Sequence, residues 1–127
     1  MVAARALVGD RRITEPADIL DLPWLQELGT DEISQWLRAR GVDAPARASI
    51  THLPGHLVLQ GLLNGAGVSP TARALVERDI DEGRLVVLFE EDRTDQGYFI
   101  VTRPGVMRPP LKAFVAWLKR HALARPA

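Results

Sequence analysis

Three histidines, a few serines and threonines ahead of helices, and two close pairs of acids are the residues here that could do chemistry. His52 and His56 stand four apart, a spacing that can put two imidazoles on one helix face. Pro54 and Gly55 lie between them, and no neighbouring acid completes a set. A catalytic zinc needs about three protein ligands, so no metal site is expected. His121 is distant and suits an exposed place near a helix C-terminus, where positive charge is favoured. Glu90-Glu91 and Asp79 with Asp81 could form a catalytic carboxylate pair only if burial raised one pKa. A solvated face explains them better, since acids are rarely buried unpaired. No Gly-x-Ser-x-Gly elbow is present. Gly65-Ala66-Gly67 lacks the third glycine and later acid of a dinucleotide loop. The chain has no cysteine. The sequence therefore predicts no enzyme, no catalytic residue, no metal and no cofactor.

Binding is what these residues can still do. Ligands of open α/β sheets sit beyond the carboxyl ends of strands, where helices begin. Two places fit: Thr51-His52-Leu53, and Gly67-Val68-Ser69-Pro70, where a second helix starts. At the first, free N–H groups and the helix dipole favour a carboxylate or another anion. Thr51 and Ser69 would also be expected as plain helix caps, with or without a ligand.

The elements that must position these residues follow from periodicity. Ala3–Val8 reads as a short helix stopped by Gly9. Thr14 reads as the cap of a brief helix over PADIL, with Pro16 in its first turn. Trp24–Leu28 reads as a strand. Thr30 caps a helix whose buried stripe is Ile33, Trp36 and Leu37, and Gly41 ends it. Ala46–Thr51 is a predicted strand. HLVLQGLLNG predicts a helix buried on several sides, stopped at Asn64-Gly65. Ser69-Pro70 then starts a helix as cap and first residue, with Ala72, Leu75, Val76 and Ile80 inward and Gly83 at its end. Arg84–Phe89 and Tyr98–Thr102 are apolar, β-branched and aromatic runs, as in strands covered on both faces, with Asp92–Gly97 as the loop between them. A last helix from Pro109-Pro110 carries Leu111, Val115, Leu118 and Ala122, widened by Phe114 and Trp117. Trp24, Trp36 and Trp117 suit core or interface anchors. Strands alternating with helices make the fold class α/β.

Bulk properties agree. With 127 residues, 46% hydrophobic and 25% charged, one soluble domain is expected. The formal net charge is zero, so the whole chain is not an electrostatic DNA binder. Eight acids and three arginines fall between Glu77 and Asp95, and six basic residues and no acid follow from Arg103. These read as two solvated faces that attract each other. No signal-peptide pattern or membrane-length apolar run occurs, and a cytoplasmic location is expected.

Several segments, in order, resemble the effector-binding domain of LysR-type transcriptional regulators. They are ITEPADILDLPWL, DEISQWLRARGV, SITHLPGHLVLQGLLNGAGVS, ALVERDIDEGRLVVLF, YFIVTRP and PPLKAFVAWLKRHA. The resemblance implies a three-layer, periplasmic-binding-protein-like lobe with a small mixed sheet flanked by helices. It implies that residues 1–108 form the second lobe and that 109–127 form a C-terminal helix returning to the first. Thr51, His52, Leu53, Ser69 and Pro70 would then line an effector cleft for a small, anionic metabolite. Where the family often has an aliphatic run, this chain has Val68-Ser69-Pro70-Thr71. The helix-turn-helix and linker helix of the family are missing from these residues, so DNA would be reached only through segments outside them. With the first lobe absent, Leu111, Phe114, Val115 and Leu118 are expected to meet the chain's own sheet or a second copy, giving a dimer. A stand-alone protein-interaction or dimerisation module derived from such a domain is the alternative.

Overall fold

Short β-forming runs at five places build one sheet. The strands are β1 (Val2–Ala4), β2 (Trp24–Glu27), β3 (Ile50–Leu53), β4 (Val68–Ser69) and β5 (Leu85–Val87), in the order β3-β2-β4-β1-β5. β2 runs parallel to β3 and β4, whereas β1 is antiparallel to β4 and β5. The helices are α1 (Arg5–Val8), α2 (Glu32–Arg38), α3 (Gly55–Leu63), α4 (Arg73–Asp81) and α5 (Pro109–Leu123), with a 3-10 turn at Pro16–Ile19. This computed structural model describes residues 1–43, 49–91 and 99–123. The chain divides into two units, Met1–Glu91 and Asp92–Ala127.

Successive strand side chains point to opposite faces, and both faces are covered. Trp24, Ala3 and Val68 pack with Ile33, Trp36 and Leu37 of α2. Val2, Ala4, Leu25 and Leu85 pack with Val58 and Leu62 of α3 and Val76 of α4. The result is the expected three layers, with α2 on one side and α3 and α4 on the other. Trp36 stacks obliquely on Trp24 and Phe89, with centroids 6.2 and 5.2 Å away. The Arg40 guanidinium lies 4.1 Å over the Trp36 ring and pairs with Glu91.

Several local expectations need correction. Ala3 and Ala4 belong to β1, because they pair with β4 and β5. The brief helix over PADIL is one 3-10 turn, and its organiser is Asp18, whose carboxylate accepts from the Thr14 and Glu15 N–H groups. Thr30 does not cap α2: its hydroxyl donates to the Glu27 carbonyl, and Asp31 is the capping position. Thr51 and Ser69 are strand residues, and α3 and α4 begin later, after Pro54 and Ala72. In α3 only Val58 and Leu62 are buried, so its apolar circumference serves a single stripe. Within the predicted stripe of α4, Val76 is buried but Ala72 and Leu75 are exposed. The predicted strand ending at Thr51 is shifted to Ile50–Leu53, and Ala46, Arg47 and Ala48 lie outside the described residues.

Residues 99–102 form no strand, and Phe99, Ile100 and Val101 are exposed; Tyr98 and the predicted loop 92–97 lie outside the described residues. The acidic segment finds its described partners nearby: Glu82 binds Arg78, Arg84 binds Asp79, and Glu90 binds Arg73.

Three exposed carboxylates add a modest acid sensitivity to the fold. Backbone N–H groups of Thr14 and Glu15 hold the Asp18 carboxyl below its usual range. Arg11 does the same for Asp21, and Arg78 for Glu82. Each lowered pKa contributes stability above the unfolded value of roughly 4, which is lost as pH falls through the folded value. Thermal melts should therefore show Tm dropping below about pH 4, and Asp18→Asn should flatten part of that drop.

Candidate functional site

The carboxyl ends of three parallel strands gather on one edge of the sheet. Thr51 on β3 is level with Leu25 on β2, and Val68 on β4 is level with Trp24. Thr51 and Ser69 thus flank Leu25 on either side, about two strand spacings or roughly 10 Å apart. By strand alternation both point to the α3 side of the sheet. Thr51 is exposed, and its hydroxyl has no partner among the described residues. Ser69 is 2% exposed, and its hydroxyl donates to the Pro70 carbonyl at 3.1 Å. Leu53 and Pro70 are half-buried at the same edge.

His52 belongs to the opposite face. Its register partner is Gln26, a polar residue only 4% exposed in the α2-side core. The Gln26 carbonyl oxygen accepts the Ile33 N–H at 3.0 Å, and its Nε2 donates to the Thr30 carbonyl at 2.7 Å. Backbone partners fix this orientation, because an N–H only donates and a carbonyl only accepts. The same Nε2 lies 3.0 Å from His52 Nε2, which must then accept, leaving the ring proton on Nδ1. Gln26 therefore does for α2 what a capping side chain would do, and fixes the His52 tautomer as well.

Glu27 follows Gln26 on β2 and points to the α3 side. Its Oε1 lies 2.8 Å from where a Cβ on Gly55, the first residue of α3, would stand. A Cβ there would have to push the flexible Glu27 carboxylate aside. The Gly55 and His56 amides have no acceptor among the described residues. Across residues 26–30, 51–55 and 68–72 there is no lysine or arginine, and Glu27 is the one carboxylate.

Of the residues predicted from sequence, Thr51, Leu53, Ser69 and Pro70 come together, and His52 is turned away to the other face. Sequence reasoning missed Gln26 and Glu27. The one signal was a pair of polar residues inside the otherwise apolar run Trp24–Leu28. Among the described residues no three His, Asp or Glu side chains are close enough to hold a metal. On α5, Leu111, Phe114 and Trp117 are about half exposed, Leu118 is half-buried and Val115 is buried. Phe114 and Trp117 stack at 6.2 Å, and His121 Nδ1 meets the Trp117 carbonyl at 2.9 Å. Among the described residues no helix is long and apolar enough to cross a membrane.

Known proteins share this fold. The AmpR effector binding domain from Citrobacter freundii superposes with a TM-score of 0.74 at 22% identity, covering 94% of this chain and 60% of that one. The AmpR effector domain of Pseudomonas aeruginosa gives 0.67 at 18%, over 96% of this chain and 59% of that one. These likenesses show the fold, the periplasmic-binding-protein-like type of LysR effector-binding domains. The AhcY transcriptional activator HvrB of Rhodobacter capsulatus is 33% identical over 123 residues, which is 96% of this chain and 42% of that protein. The HTH-type transcriptional regulator DsdC of Escherichia coli is 31% identical over 100 residues, 77% of this chain and 32% of that protein. Both are named as transcriptional regulators rather than enzymes, and the chain spans less than half of either. With the family model described as the LysR substrate binding domain matching residues 1–123, the chain belongs to that family.

Proposed function

We propose that this chain is the effector-sensing part of a LysR-type transcriptional regulator and binds a small metabolite at the carboxyl ends of β2, β3 and β4. The observation that carries this is the placement of Thr51 and Ser69 on one face, either side of β2, beside the open N-terminus of α3. Thr51, Leu53 and Pro70 are the contacts, and Ser69 shapes the edge through its backbone. The unpaired amides of Gly55 and His56 support an anionic group on the ligand. DNA contact is assigned to a helix-turn-helix outside these residues, in a cytoplasmic regulator without catalytic activity. Residues 1–108 are proposed as the second lobe, with 109–127 as the C-terminal helix and tail that would return to the first.

A thermal-shift screen of small carboxylates, amino acids and aromatic acids tests the reading, because a ligand that binds the native state raises Tm. Amide NMR shifts under the best stabiliser should move at Thr51, Leu53 and Gly55. Shifts confined to α5 would overturn it.

The exposed Leu111, Phe114 and Trp117 favour a second reading, a dimerisation or protein-interaction module that pairs through α5. Sedimentation of dilute protein separates the two. A monomer that binds small molecules supports sensing alone, and a dimer broken by Phe114→Glu supports pairing through Leu111, Phe114 and Leu118, with Val115 already buried within its own chain.

A further inference from the structure

We infer that the ligand of this cleft carries a protonated amine, and that Glu27 is the residue that selects it. The inference rests on the cleft proposed above and adds the ligand's chemical class.

Charge at the edge is one-sided. No lysine or arginine stands among residues 26–30, 51–55 and 68–72, and Glu27 is the sole carboxylate. Glu27 ends β2, the strand between the two that carry Thr51 and Ser69. Its side chain is exposed and has no hydrogen bond or ion pair among the described residues. Asp18, Asp21, Asp79, Glu82, Glu90 and Glu91 have partners, whereas Asp10, Glu32, Asp43 and Asp81 have none among the described residues, so what sets Glu27 apart is its place at the end of β2 beside Gly55. Gly55 is what lets the carboxylate come so near α3. An anion approaching the Gly55 and His56 amides therefore meets a negative charge beside them, and no cationic side chain of these segments offsets it. Like charges at such range repel, whereas an ammonium group between ligand anion and Glu27 turns the same field into attraction. A small zwitterion satisfies both the amides and the carboxylate.

The probes are matched pairs: amino acids against 2-hydroxy acids with the same side chain. They differ only in the amine. Calorimetry and thermal shift on the full-length protein should show amino acids binding at least tenfold more tightly than their hydroxy-acid partners. Glu27→Gln should remove that preference while the protein still folds. Gly55→Ala should weaken amino-acid binding too, since the new methyl group displaces a flexible carboxylate rather than backbone. Equal binding of both series overturns the role of Glu27 and leaves the cleft standing. A Glu27→Gln variant that changes Tm but keeps the preference also overturns it, and reduces Glu27 to a helix-end charge. No binding by either series overturns this inference, and leaves the cleft to be decided by the wider screen of carboxylates and aromatic acids.

Discussion

Gln26→Leu is expected to lower the unfolding free energy by about 2–4 kcal/mol. Leucine matches glutamine in size but forms no hydrogen bonds. The substitution leaves the Ile33 N–H without an acceptor and the Thr30 carbonyl without its donor, at a site where the native residue is 4% exposed. A buried polar group left unpaired costs about 1–3 kcal/mol, and two are orphaned here. Urea unfolding with an unchanged m-value would read the loss directly. A loss under about 1 kcal/mol would show that the Gln26 contacts are dispensable. Gln35→Ala is the control. Its exposed amide bonds Asp31 on the same helix, and about 0.5 kcal/mol is expected. Nitrogen NMR of His52 adds a second reading. The native protein should show the proton on Nδ1, and Gln26→Leu should abolish that preference.

Gly67→Ala should destabilise the fold by about 2–4 kcal/mol, although it adds one methyl group. The new Cβ would sit 2.8 Å from the Pro23 carbonyl oxygen and 2.9 Å from Leu25 Cγ. The first obstacle is backbone and the second is a core side chain, so neither can step aside cheaply. Relief requires β4 to move off β2, which stretches the 2.9 Å bond from the Val68 N–H to the Pro23 carbonyl. Overpacking of this kind costs about 1–3 kcal/mol, and the lost bond adds about 1. Gly55→Ala offers the comparison. Its Cβ meets the tip of Glu27, and its stability should change little. Calorimetric melts of the two variants side by side decide whether glycine at 67 serves strand packing. Equal Tm values would refute that.

Much of the scaffold was legible in the residues because its signals are local. The spacing of Ile33, Trp36 and Leu37 marked a stripe that is indeed buried, and Gly9, Gly41, Gly65 and Gly83 all take positive φ where helices end. Helix starts were harder to read. Thr51 and Ser69 have the chemistry of caps, but strand pairing across the sheet claims both, and nothing near them in sequence announces that partner. The run 99–102 has strand-like composition, yet composition supplies no neighbour to bond with. Gln26 shows the same limit at the site. Its role depends on residues 7 and 26 positions away, so only the folded register explains a buried amide there. Glu27 gains its meaning from Gly55, which in sequence is just a small residue after proline.

The sheet has a narrow seam. Its parallel half and its antiparallel half meet where β4, two residues long, touches β2 through the single pair Trp24 and Val68. α3 packs on β1, β2 and β4 and so lies across that seam like a splint. Force applied at the splint's first turn is shared by both halves instead of opening the joint. Substitutions that loosen α3 should therefore weaken both halves of the sheet together.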